Sequence, residues 1–168
     1  GGTSQIFAAT KNSVHGVGSL EDYKRFCDKH TITIYHHAIA WPRGVSAFRG
    51  APGPRLLRFH NVTPALYFLD YHLPFAVGAW LGRREAGVMA RDASLALCLS
   101  ASHFSAFEVA TMGLAGDRGD VLPPFIRPIA STPPDPALLQ HLKDGHLNLL
   151  SVGRLLPHKG QHALLQML

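Results

Sequence analysis

A turn, two cations and a helix start lie close together near the C-terminus, and this combination favours an anion site. Residues 147–152 are an apolar run that predicts a short buried strand. Gly153 ends the run and lets the backbone approach a ligand closely. Arg154 follows at once, and Lys159-Gly160 opens an apolar helical run, whose N-terminal N–H groups and dipole would favour phosphate. We therefore predict a phosphate site, and the alternative is a surface loop with two solvated cations.

The same stretch resembles a segment of a known enzyme family, the retaining glycosyltransferases of the GT-B fold called family 4. The shared residues are Val152-Gly153-Arg154-Leu155, Lys159-Gly160 and the amphipathic helix after them, which match the opening of the family's C-terminal domain. The resemblance implies that Arg154 and Lys159, with Gly153 and Gly160, bind the diphosphate of a nucleotide-sugar donor. It also implies that neither a metal nor a cofactor is needed, because the protein cations stabilise the diphosphate leaving group.

Histidines stand at the ends of two predicted strands, which is where ligands bind in open parallel α/β sheets. Residues 31–36 are β-rich and mostly apolar and lead to His36-His37, and residues 55–60 predict the next strand, which ends at His60. Adjacent strand residues point to opposite faces, so only one of His36 and His37 can face the site as a strand residue. For each histidine the alternative is a hydrogen-bonded structural role.

The residues around His60 carry the second resemblance. Arg58-Phe59-His60-Asn61-Val62-Thr63-Pro64 is similar to the HN-x-T-P segment of certain family 4 glycosyltransferases. Many members have a histidine at the end of this strand, where it contacts the donor sugar near the reacting carbon, so the resemblance implies that His60 is the catalytic residue. A neutral imidazole can donate or accept a hydrogen bond to a sugar hydroxyl and need not be a general base. The remaining residues expected to line the cleft or contact the acceptor are His36, His37, Asn61 and Thr63.

Strands and helices alternate along the predicted chain, which argues for a Rossmann-like α/β fold with a parallel sheet. Besides the strands above, the pattern predicts a helix capped by Ser19 and reaching about residue 29, a long helix at 74–91, a strand at 94–100, a helix capped by Ser102 and reaching residue 112, and a short strand at 120–125. The resemblance implies that this sheet is the first domain of a GT-B enzyme.

Prolines mark the boundary between two predicted domains. Pro128, Pro133 and Pro134 exclude a helix or a central strand and are typical of a semi-rigid linker. We expect an acceptor-side domain at residues 1–126, a linker with a short helix at 127–146 and a donor-binding domain that starts at 147–168.

The chain length bears on how much of such an enzyme is present. A chain of 168 residues suffices for one complete globular domain. A GT-B enzyme has two, so the resemblance implies a first domain incomplete at its N-terminus and a truncated second domain. The paired-glutamate motif of the family is then expected after Leu168.

The composition limits the partners. The formal net charge is +5, but the basic residues are scattered and form no run typical of nucleic-acid binding. A positive net charge suits the binding of phosphate-bearing donors and peripheral contact with the inner membrane face. Cys27 and Cys98 lie in apolar contexts. We therefore expect both to be reduced thiols, as in a cytoplasmic protein. The 11 histidines show no spacing typical of metal ligands, so we expect no metal.

The function predicted from these features is transfer of a sugar, with retention of configuration, from a nucleotide diphosphate-sugar to a saccharide or lipid-linked acceptor. Such an enzyme would serve the biosynthesis of glycans, polysaccharides or lipopolysaccharides. A GT-B-fold nucleotide-sugar epimerase would share the phosphate site but needs catalytic carboxylates. A non-catalytic α/β binding scaffold would have no donor site.

Overall fold

The structure, a computed structural model, describes residues 2–9, 16–125 and 133–167. Its internal contacts divide the chain into two units, Gly1–Pro124 and Phe125–Leu168. Residues 127–132 of the predicted linker, including Pro128, lie outside the described residues. The strands are β1 (Ile6–Phe7), β2 (Val17–Gly18), β3 (Thr33–His37), β4 (Arg55–Phe59), β5 (Leu97–Ser100) and β6 (Gly119–Val121). The α-helices are α1 (Leu20–Phe26), α2 (Pro42–Arg49), α3 (Leu73–Ala90), α4 (His103–Thr111), α5 (Pro136–His141) and α6 (Gln161–Met167).

A four-stranded parallel sheet in the order β3-β4-β5-β6 forms the centre of the first unit. Strands β1 and β2 pair separately, also in parallel. The predicted α/β class with a parallel sheet is confirmed, and the architecture is compatible with a Rossmann-like fold. In the register of the sheet, the last residues of β3, β4, β5 and β6 lie side by side (His37, Phe59, Ser100 and Val121). The carboxyl ends of the strands therefore form one edge.

The two faces of this sheet differ. On one face Tyr35 stacks on Phe48 of α2, with ring centroids 5.3 Å apart, and the buried side chains of Leu57, Phe59 and Cys98 continue the core. Helix α3 packs beside α2, and α4 packs beside α3, as expected when right-handed connections join strands that follow chain order. The alternate strand residues point to the other face. They include Ile34, His36, Leu56, Arg58, Leu97 and Leu99.

Local capping explains where the helices begin. Ser19 and Asp22 form a reciprocal capping box at the start of α1, and the Ser102 hydroxyl accepts the N–H of Ser105 at the start of α4. Both predicted caps are confirmed. Helix α1 ends at Phe26, a turn earlier than predicted, and β5 begins at Leu97, later than the predicted residue 94.

In the second unit, the prediction of a buried strand at residues 147–152 is wrong. The segment has no strand pairing, and Leu147, Leu150 and Val152 are 86%, 90% and 86% exposed. A strand needs a neighbour to pair its N–H and C=O groups, and residues 133–167 contain none. An apolar run alone therefore leaves this segment extended and solvated.

The predicted helices of the second unit do form. Helix α5 is capped by the Asp135 carboxylate, which accepts the N–H of Ala137 at 2.9 Å. A single 3₁₀ turn spans Pro157–Lys159, and α6 follows it after Gly160. Across the described parts of both units, no helix has the length and the apolar composition needed to cross a membrane.

Candidate functional site

Two of the predicted site histidines meet at the carboxyl edge of the sheet. The Nδ1 atom of His36 lies 2.8 Å from the Nε2 atom of His60. Their rings stack with centroids 5.1 Å apart and an interplanar angle of 21°. The backbone N–H of His60 donates to the carbonyl of His37 at 3.0 Å, which extends the ladder between β3 and β4 by one step. The parallel pairing of these strands therefore brings together two side chains that are 24 residues apart in sequence.

The environment of this histidine pair favours neutral rings. Partial burial lowers the pKa of His36, and the charge of Arg58 lowers it further. The pKa of His60 is lowered by burial first, then by His36 and by Arg58. In a neutral pair one ring donates the shared hydrogen and the other accepts it. Such a pair can exchange hydrogen bonds with hydroxyl groups without carrying charge.

Arg58 is a site residue that the sequence reasoning did not single out. It pairs in register with His36 and is only 6% exposed. Its Nη1 atom donates to the Ser100 carbonyl at 3.3 Å. A signal for it exists in the sequence, because a charged residue interrupts the apolar strand Leu56-Leu57-Arg58-Phe59. A charge in a buried strand is costly and therefore marks a site.

Asn61 follows His60 in a backbone conformation that side chains rarely adopt. Its φ is 70°, in the left-handed region, which asparagine tolerates better than most residues. Its Oδ1 atom is buried and accepts no hydrogen bond from the described residues. A buried acceptor normally has a partner, so this oxygen is suited to a ligand hydroxyl. Thr63, also predicted to line the site, is half-buried two residues further on.

His37 does not line the edge surface and belongs to the core. It is fully buried, its Nε2 atom lies 2.8 Å from the carbonyl of Gly82 in α3, and its ring stacks on Phe59. Burial lowers its pKa. Successive strand residues point to opposite faces, so placing His36 at the edge sends His37 beneath the helices.

The loops that carry the site are tied to α3. After β4, the Arg83 guanidinium donates to the carbonyl of Val62 and to the Glu108 carboxylate, both at 2.9 Å. After β3, the backbone N–H of Trp41 donates to the Glu85 carboxylate at 2.8 Å. These contacts hold in place the two loops that follow β3 and β4.

In the second unit, the predicted phosphate-binding residues lie on one short loop. The charges of Lys159 and Arg154 lower the pKa of His158, after the larger effect of burial, so both cations lie near one imidazole. The Gln161 side chain donates to the Arg154 carbonyl at 3.0 Å and closes the loop. Gly153 lies in a bend, and Gly160 has a φ of 70° just before α6. Sequence reasoning passed over His158, which stands between the two cations.

An apolar pocket of about 330 Å³ also lies in the second unit. Its lining residues are Leu149, Leu150, Ser151, Gln161, Leu164 and Leu165. None of them is charged, so the pocket does not suit a phosphate.

No group of three or more histidine, cysteine or carboxylate side chains is placed to hold a metal ion within residues 2–9, 16–125 and 133–167. Comparison of the chain with family models, curated proteins and solved structures found no match.

Proposed function

We propose that this chain is part of a retaining glycosyltransferase of the GT-B type. It would move a sugar from a nucleotide diphosphate-sugar to a saccharide or lipid-linked acceptor, in glycan, polysaccharide or lipopolysaccharide biosynthesis. Under this proposal the first unit is the acceptor-side domain and the second is part of the donor-binding domain. No metal or cofactor is required.

The observation that carries the proposal is the contact between His36 and His60, followed in the chain by Asn61, whose Oδ1 atom has no partner among the described residues. A sugar ring presents hydroxyl groups that both donate and accept. The pair offers both functions, and Asn61 offers a further acceptor. The three side chains stand at the carboxyl ends of parallel strands, the usual ligand position in open α/β sheets.

The chemistry assigns separate tasks to the two units. The bond between the sugar carbon and the diphosphate oxygen breaks, and the acceptor hydroxyl oxygen forms a new bond to the same carbon and passes its proton to the leaving diphosphate. Negative charge develops on the leaving diphosphate, where Arg154 and Lys159 would stabilise it. His60 would contact the sugar near the reacting carbon, and a contact that strengthens in the transition state raises turnover.

The expected location is cytoplasmic. Cys27 and Cys98 are free thiols, as is usual in a reducing compartment. A peripheral position at the inner membrane face would fit a lipid-linked acceptor and the positive net charge.

The test is saturation-transfer NMR of the chain with a panel of nucleotide diphosphate-sugars, followed by product analysis with saccharide and lipid-linked acceptors. We expect one donor to bind, and His60→Ala to lose the signals of the sugar protons while keeping those of the nucleotide. The control is His30→Ala, which removes an exposed histidine that precedes β3, at the opposite end of that strand from His36. Binding of no donor would contradict the proposal. A sugar epimerised without an acceptor would point to an epimerase.

A further inference from the structure

We propose that Arg58, His36 and His60 form a binding site for an oxyanion, a phosphate or carboxylate group carried by the acceptor substrate. All three residues of the oxyanion site belong to the first unit. Its assignment to the acceptor rests on the proposed glycosyltransferase function.

The three residues form a cluster of neighbours on one face of the sheet. Arg58 is the register partner of His36 on the neighbouring strand, and His60 follows two residues after Arg58. The contact between the imidazoles shows that His60 shares the face of His36. This face is opposite to the one on which His37 bonds to α3. The cluster therefore lies at the carboxyl edge of β3 and β4, on the sheet face not occupied by α3.

Among the described residues, the charge of Arg58 has no counter-charge, unlike that of the other well-buried arginine of the sheet. Arg55, 7% exposed, donates to the Asp92 carboxylate at 3.1 Å. Arg83, less buried, donates to Glu108 at 2.9 Å. Arg58 is 6% exposed, and no carboxylate in the described parts of the chain forms an ion pair with it. Its hydrogen bond to the Ser100 carbonyl is long at 3.3 Å.

A buried cation without an anionic partner is destabilising, and proteins rarely retain one without a use. The guanidinium group carries five N–H donors in a planar fork that matches a carboxylate or a phosphate. One of these donors is directed to Ser100. The others allow a bidentate contact with an oxyanion, which would supply the missing counter-charge.

The histidines complete the site. Because both rings are biased toward the neutral form, the pair keeps one N–H donor free for a ligand without adding a second and third cation in the free protein. When an anion binds, its charge favours protonation of a neighbouring imidazole. Protonation of a histidine would therefore increase the affinity of the cluster for the anion.

The acceptor is the substrate that fits this site. The donor diphosphate already has Arg154 and Lys159 as its proposed partners, in the other unit. An anionic group on the acceptor, bound at Arg58, would place a nearby hydroxyl next to His60 and Asn61. The proposed substrate class is thus a phosphorylated or carboxylated saccharide, or a lipid-linked saccharide with a phosphate group.

The experiment isolates the Arg58 site in a chain that also carries Arg154→Ala and Lys159→Ala. The imidazole signals of His36 and His60 are followed by NMR during titration with inorganic phosphate and, separately, with acetate, against sodium chloride at equal ionic strength. We expect saturable shifts with at least one of the two oxyanions and none with chloride. Stronger binding of phosphate would indicate a phosphorylated acceptor, and stronger binding of acetate a carboxylated one.

Arg58→Met should raise the dissociation constant at least about tenfold, and Arg58→Lys should raise it less because the charge remains. The matched control is Arg25→Met, which removes an exposed charge on α1 and should leave binding unchanged. Equal affinities in the parent and in the Arg58→Met chain, or no saturable shift in the parent, would overturn the proposal. If Arg58→Met does not fold, the dissociation constant of Arg58→Lys is compared with that of the parent chain. An unchanged value in Arg58→Lys would then overturn the proposal.

The experiments can reject the oxyanion site and the glycosyltransferase function independently of each other. Arg58-dependent binding of an oxyanion in a chain that binds no nucleotide-sugar would leave the site in place and remove its assignment to a glycosyl acceptor. Binding of a nucleotide-sugar in a chain whose Arg58 binds neither oxyanion would support the transferase and reject the acceptor site.

Discussion

Arg58 lies directly beside His36 in the register of β3 and β4, and its charge depresses the pKa of that imidazole. The same charge acts on His60, whose Nε2 atom is 2.8 Å from His36. A buried cation and two histidines thus share one edge of the sheet, and the pKa values of the two histidines depend on the charge of Arg58.

Removing the Arg58 charge should raise the pKa of both histidines. Arg58→Met abolishes the repulsion that disfavours each imidazolium, while the larger effect of burial persists, so both pKa values should rise but stay below the ordinary value. NMR titration of the imidazole protons measures this directly. Arg25→Met serves as the control for loss of one positive charge at the surface. Unchanged pKa values in Arg58→Met would show that Arg58 does not act on the pair.

Burial of His37 should make stability depend on pH. Its pKa is lowered in the folded state, so in the window between the folded pKa and the unfolded value of about 6.5 the unfolded chain binds the extra proton. The contribution of neutral His37 to the free energy of unfolding is therefore fully present above about pH 6.5 and is lost as the pH falls through that window. Denaturant unfolding between pH 8 and pH 5 measures the slope.

His37→Gln should flatten that slope, because glutamine can reproduce the Nε2 donor toward Gly82 but does not titrate. His36 and His60 have lowered pKa values and contribute to the slope with the same sign, so a reduced slope should remain. His30→Gln, at an exposed position, is the control. A slope unaffected by His37→Gln would contradict this account.

Two glycines of α3 should respond in opposite directions to alanine. A Cβ atom at Gly82 would lie 2.9 Å from the backbone N of Ala40 and 3.2 Å from the carbonyl carbon of Ile39. Backbone cannot move aside cheaply, so Gly82→Ala should lower the free energy of unfolding by about 1–3 kcal/mol, as for overpacking. At Gly78 the nearest atom is the Ile39 Cδ1 atom at 3.8 Å. Gly78→Ala should therefore stabilise the protein by about 0.5–1 kcal/mol, through helix propensity.

The measurement is chemical unfolding of both variants against the parent chain. The two changes are chemically identical and lie one helical turn apart, so each is the control for the other. Equal effects would mean that α3 does not approach the loop after β3 as closely as described.

Loss of Lys159 should weaken diphosphate binding if the loop of the second unit binds the donor. A hydrogen bond to a charged group contributes about 1.5–3 kcal/mol, so Lys159→Ala should lower the affinity for nucleoside diphosphates about ten- to a hundredfold. The affinity for the matching nucleosides should change much less, because they carry no phosphate charge. Arg154→Lys should keep only part of the affinity for the diphosphate, since lysine lacks the planar guanidinium group that can donate two hydrogen bonds at once.

Calorimetry with both ligand types checks this prediction, and Lys143→Ala, at an exposed position of the same unit, controls for charge. Equal loss for diphosphate and nucleoside would indicate damage to the fold. No loss for either would leave Arg154 and Lys159 as solvated surface cations.

Much of the fold was predictable because its signals are local. The Ser19 and Ser102 caps satisfy N–H groups within one turn, so a few adjacent residues suffice to place both helix starts. The apolar runs around Tyr35, Leu57 and Cys98 indicated the strands of a parallel sheet, and the carboxyl ends of those strands indicated where ligands bind. The residues His36, His60 and Asn61 followed from that rule and from the family resemblance.

Tertiary structure alone decided which of these residues meet. His36 and His60 are in contact because β3 and β4 pair in one particular register, and a shift by one residue would have put His37 at the edge and His36 in the core. The sequence shows Arg58 as a charge inside an apolar strand, but only the packed sheet shows that it is buried and that no carboxylate of the described residues pairs with it. The run at residues 147–152 looks like a strand, yet it remains unpaired, because an apolar pattern supplies burial but not the neighbour that a strand's backbone requires.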